Sequence, residues 1–178
     1  MKKIIIAVIV VIFLSGGFFG YKYFSKIDVT DSSKWEYVYN DEFIAKLPEN
    51  MKESDNLFYT STGEKQIALY QNSEVCFSVA KIPFSANESL KTIDIKTFCK
   101  NLEINGKKLD IIPINDGYYY TTDREAENIF ENTSSIFSIE GIFKDDDAIY
   151  SVVIQCRKAD KTEYESSMIE WLESFRLK

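Results

Sequence analysis

The feature that most constrains this chain is a near-continuous apolar run from Ile4 to Phe24, led by Lys2 and Lys3. Its 21 residues match the ~20 that a helix needs to cross the hydrocarbon core of a bilayer. The run predicts a transmembrane helix that keeps a C-terminal domain outside the cytoplasm. It closes on Tyr21, Lys22, Tyr23 and Phe24, the aromatic and basic mixture that settles at a membrane–water boundary. A signal peptide is the competing expectation. Lys2 and Lys3 would then be its charged start, Ile4–Leu14 its apolar stretch, and Ser15-Gly16-Gly17 a small-residue cleavage site that releases the domain near Gly17. The first 75 residues hold no cysteine, which excludes lipid attachment at an N-terminal cysteine.

Three segments are expected: residues 1–26 as anchor or signal peptide, 27–34 as a short polar stalk, and 35–178 as one α+β domain. Beyond Lys26 stand 17 basic and 28 acidic residues, a formal charge of −11. Nucleic acids and anionic lipid surfaces select Lys and Arg clusters, so the balance argues against both as partners. Solubility is the default reading of such a charge, and repulsion from like-charged neighbours or a cationic partner would also suit it. Cys76, Cys99 and Cys156 are an odd set and their spacings fit no metal-ligand pattern. Burial as small apolar side chains is expected for them, with a Cys76–Cys99 bridge as the alternative.

Trp35–Tyr39 and Glu42–Leu47 flank Asn40-Asp41 as a hairpin that ends at Pro48. Leu57–Ser61, Gln66–Gln71 and Val75–Ile82 continue as a meander separated by turn residues. After Pro83, Leu90, Ile93, Phe98 and Leu102 predict a helix stopped by Asn105-Gly106. Leu109–Ile114 and Tyr118–Asp123 flank Asn115-Asp116-Gly117, and Ile136–Lys144 and Ala148–Arg157 flank Asp145-Asp146-Asp147, as two hairpins. Tyr164, Met168, Trp171, Leu172 and Phe175 line one face of a terminal helix whose start Asp160 or Thr162 can cap. The expected fold is α+β: a largely antiparallel sheet of hairpins with two packed helices.

This order resembles the PsbP-like α/β/α sandwich family. The likeness is carried by Phe43-Ile-Ala-Lys-Leu-Pro48, by a helix set between a meander and two hairpins, and by the close Met168-Ile-Glu-Trp-Leu-Glu-Ser-Phe175. It implies a compact, non-catalytic exported domain that serves membrane machinery through its surfaces.

The chain has no histidine, which removes imidazole bases, Ser-His and Cys-His nucleophile pairs and His-containing zinc sites. Its glycines form no phosphate-binding loop. No catalytic, cofactor or metal residue is assigned. Asp123, Glu125 and Glu127 could pair as acid and base in a hydrolase, and Asp145-Asp146-Asp147 could gather Ca²⁺ but lack EF-hand spacing. Tyr118, Tyr120, Asp145, Asp146 and Asp147 are the candidate partner surface, with Tyr37, Tyr39, Tyr59 and Tyr70 as further aromatic contributors. The leading functional expectation is an anchored accessory protein that binds a protein partner. An acidic inhibitor of a cationic toxin or enzyme comes second, and a carboxylate hydrolase third.

Overall fold

The computed structural model describes residues 28–55, 57, 63–104, 106–126 and 134–178. The apolar run, with Tyr21, Lys22, Tyr23 and Phe24, lies outside them, as do Tyr59 and Glu127. No helix among the described residues is long and apolar enough to cross a membrane.

The chain enters through a three-residue helical turn, Ser32–Lys34, into β1 (Trp35–Tyr39) and β2 (Phe43–Pro48). The short β3 (Lys52–Glu53), then β4 (Lys65–Gln71) and β5 (Val75–Pro83), lead to the brief helix α1 (Ile95–Lys100). A two-stranded ribbon follows, β6 (Glu103–Ile104) with β7 (Lys107–Lys108), then β8 (Ile112–Ile114) and β9 (Gly117–Ala126). Next come β10 (Ser134–Lys144), β11 (Ala148–Arg157), the long helix α2 (Lys161–Ser174) and β12 (Arg176–Leu177). All pairings are antiparallel. They build a seven-stranded sheet in the order β3-β4-β5-β11-β10-β9-β8 and a three-stranded one, β1-β2-β12. The mixed α+β fold is the one expected.

One face of the large sheet carries Phe77, Val79, Phe137, Ile139, Val152 and Ile154, buried beneath β2 and α2. Phe175 stands 5.2 Å from Phe43 and 4.8 Å from Phe143, and Trp171 meets Trp35 edge-on at 5.7 Å. Gly141 permits that approach, because a Cβ there would come within 2.6 Å of a Leu172 methyl. The other face is covered at one end by Phe98, Cys99 and Leu102 of the α1 region, packed with Tyr120, Ile142 and Ile149.

Three local expectations are corrected. The helix after Pro83 is a Glu88–Leu90 turn plus the six residues of α1. Lys144 Nζ donates to the carbonyls of Lys91 (2.9 Å) and Ile93 (2.7 Å), and Asp94 caps α1 by accepting from the Thr97 amide. Residues 91–93 form a turn and bends, so the apolar spacing is not carried by one continuous helix. Gly106, with φ 74°, sits between β6 and β7 instead of ending a helix. At α2 the residue before the helix is Asp160, but its carboxylate binds Arg157 (2.6 Å) and caps nothing.

Within the expected stalk, the described residues 28–34 make ordered contacts. Val29 is buried in the main core, and its carbonyl accepts the Trp35 indole N–H at 2.9 Å. Asp28 and Asp31 close tight turns onto Thr30 and Ser33.

Candidate interaction surface

The antiparallel pairing of β1 with β2 decides where β1's main-chain groups point. The Asn40 amide donates to the Phe43 carbonyl (3.0 Å) and the Glu49 amide to the Lys34 carbonyl (2.9 Å). Residues 34 and 40 therefore occupy hydrogen-bonded pairs, and alternation places Glu36 and Val38 in the same class. Trp35, Tyr37 and Tyr39 fall between, with N–H and C=O turned away from β2. The Trp35 amide is taken by Ser32. Tyr37 and Tyr39 thus offer their backbone to an edge that no described strand pairs.

Their side chains share the outer face of the small sheet. Tyr37 is 58% exposed and Tyr39 69%, with ring centroids 6.3 Å apart. Directly across lie Lys46 and Ile44, and Arg176 of β12 continues the row from Ile44. Lys46 Nζ rides 5.9 Å from the Trp35 ring. The Arg176 guanidinium donates to the carbonyls of Glu173 and Phe175. This is an aromatic and cationic face on an acidic domain.

The residues expected to form a partner surface fare differently. Tyr120 is 1% exposed and belongs to the core beside α1, so it cannot present its ring to a partner. Tyr118 is half-buried against the same cluster. Asp145 is consumed by its own turn. One carboxylate oxygen accepts the amides of Asp147 and Ala148, each at 2.8 Å, and the other accepts the Tyr150 hydroxyl at 2.9 Å. Only Asp146 and Asp147 of that turn are exposed. Tyr70 is buried. Asp123 pairs at the surface with Lys158 (3.1 Å), and Glu125 is exposed. Among the described residues no group of three or more acidic or cysteine side chains could hold a metal ion.

The three cysteines are free thiols. Burial pushes each of them up to about 12, far from nucleophilic thiolate.

A second polar feature was not anticipated. On the α1 side of the large sheet, Gln66, Ser78, Ser138, Glu140 and Ser151 are all buried, with Glu64 beside them. Ser151 Oγ donates to Glu140 (3.1 Å), Gln66 Nε2 to Ser78 (2.9 Å) and Gln155 Nε2 to Ser138 (3.1 Å). Burial raises the Glu140 carboxyl, opposed by the hydroxyls of Tyr120 and Ser151 and by the charge of Arg124. Burial, and then the charge of Glu140, lift Glu64 to about 7. Such an acid exchanges protons near neutrality, yet no activated nucleophile stands with it among the described residues. Its burial couples its protonation to the stability of the fold. The signal was present in β10, where Ile136 and Ile142 share the parity of Ser138 and Glu140. A strand apolar at both parities is covered on both faces.

No family model matches this chain, and no curated relative does. Its function has to be argued from its own residues.

Proposed function

We propose that this chain is a non-catalytic accessory domain, held at the cell membrane by Ile4–Phe24 and facing outside the cytoplasm, which recruits or stabilises an envelope or membrane protein. The observation that carries this is the open edge of β1. Two successive outward-facing residues, Tyr37 and Tyr39, supply backbone donors and acceptors that no described strand pairs, and both carry exposed rings. An extended segment of a partner would add as a fourth strand, gaining affinity from main-chain bonds and selectivity from alternate side chains.

The test exploits the geometry of the edge. In Tyr37→Pro the lost N–H is one that β2 does not use, so the hairpin survives while the edge is blocked. Co-purification of a stable partner from solubilised membranes should disappear in Tyr37→Pro and persist in Tyr37→Phe. Retention of the same partner by the proline variant would refute edge pairing. The salt dependence separates the acidic-inhibitor alternative, since a complex built on the −11 surface dissociates at high ionic strength.

A further inference from the structure

We infer that the outer face of the β1-β2-β12 sheet rests on the headgroup layer of the membrane in which the chain is anchored. This rests on the reading of Ile4–Phe24 as a membrane span, and adds a docking side to it.

The reach of the chain comes first. Val29 is fixed in the core and Asp28 closes the first described turn, and in sequence only Ser25, Lys26 and Ile27 stand between Phe24 and Asp28. Four Cα–Cα steps of at most ~3.6 Å span no more than ~14 Å. The headgroup layer occupies roughly 5–8 Å of that on each side of the hydrocarbon core. A domain so short-tethered cannot stand clear of the bilayer, and one of its sides must face it.

The side is selected by where the chain enters and by charge. The entering segment is bonded to Trp35, at the start of β1, through the Val29 carbonyl. The face that continues from Trp35 carries Tyr37, Tyr39, Ile44, Lys46 and Arg176. Tyrosine rings suit the boundary between lipid and water, and Lys and Arg are drawn to anionic headgroups. The net charge of the domain disfavours general adhesion to such a surface, so this face is the local exception. With the small sheet lying flat, the open edge of β1 points along the membrane plane, where a membrane-embedded partner would meet it.

The experiment uses the full chain in vesicles of phosphatidylcholine and phosphatidylglycerol containing a nitroxide-headgroup lipid. A fluorophore is placed at Tyr39→Cys or, on the far layer, at Lys100→Cys. The native thiols are held protonated and label slowly. Co-flotation with vesicles after alkaline wash reports the anchor by itself, and failure there sinks the anchor reading regardless of the docking face. Given flotation, the label at 39 should be quenched strongly and the label at 100 weakly. Equal quenching, or stronger quenching at 100, would overturn the docking face. Lys46→Gln and Arg176→Gln should each weaken docking about fivefold while flotation is unchanged. Undiminished quenching in the double variant would also overturn it.

Discussion

Glu64→Gln offers a two-sided test of the buried polar face. Glu64 is 2% exposed, and burial followed by the charge of Glu140 lifts its carboxyl from 4.5 to about 7. A group whose folded pKa lies above its unfolded value favours the native state while it is protonated. Its contribution is therefore complete below about pH 4.5. It is lost progressively as pH rises, and the loss levels off above about pH 7. A difference of about 2.5 units corresponds to at most about 3 kcal/mol at pH 8, and to less than about 1 kcal/mol at pH 5. Glutamine mimics the neutral acid at every pH. The substitution should stabilise the protein by up to ~3 kcal/mol at pH 8 and change little at pH 4. Urea titrations of the full chain in detergent, followed by the fluorescence of the buried Trp35 and Trp171, would measure both. Glu140→Gln should make this loss smaller and end it at lower pH, because it removes the second cause of the raised value. If wild type and Glu64→Gln showed the same pH dependence between 4 and 8, the reasoning would be refuted.

Further outcomes follow from contacts already described. Gly141→Ala forces a Cβ into Leu172, and overpacking of that kind should cost about 1–3 kcal/mol, read as a lowered urea midpoint with an unchanged slope. Asp145→Ala removes three hydrogen bonds from the β10–β11 turn and should cost about 1–3 kcal/mol without affecting capture of a partner, since Asp145 is committed to its own turn. Alkylation of Cys76, Cys99 and Cys156 by iodoacetamide at pH 8 should run at least a hundredfold slower in the native than in the urea-unfolded chain, because raised thiol pKa values leave little thiolate. Equal rates, followed by mass spectrometry, would show those thiols to be accessible.

The parts of the fold that were legible in the sequence are those decided locally. The Asp145-Asp146-Asp147 turn between two alternating runs places β10 and β11 almost to the residue. The spacing of Tyr164, Met168, Trp171 and Leu172 marks the buried face of α2. What failed depends on atoms distant in sequence. The segment before α1 leaves the helix where Lys144 reaches two carbonyls about fifty residues earlier, a contact that no periodicity around Leu90 can announce. Tyr120 reads as a wet strand residue until α1 covers it. Glu140 reads as the solvent half of an alternation until both faces are closed. The aromatic content of β1 was visible, but its status as an open edge is a property of sheet order, which hairpin signals do not encode.

The way β2 is completed sets an order of events. It lies between β1, made at the start of the folded body, and β12, its last two strand residues, and the amide of Lys178 reaches back to the carbonyl of Glu42. Phe43 and Leu47 gain their cover from α2 and Phe175. A chain delivered N-terminus first therefore holds an unsatisfied apolar hairpin until its final residues arrive, and contacts of such long sequence separation form slowly. Removing Arg176, Leu177 and Lys178 would unpair the second edge of β2 and take away the bond from the Lys178 amide to the Glu42 carbonyl.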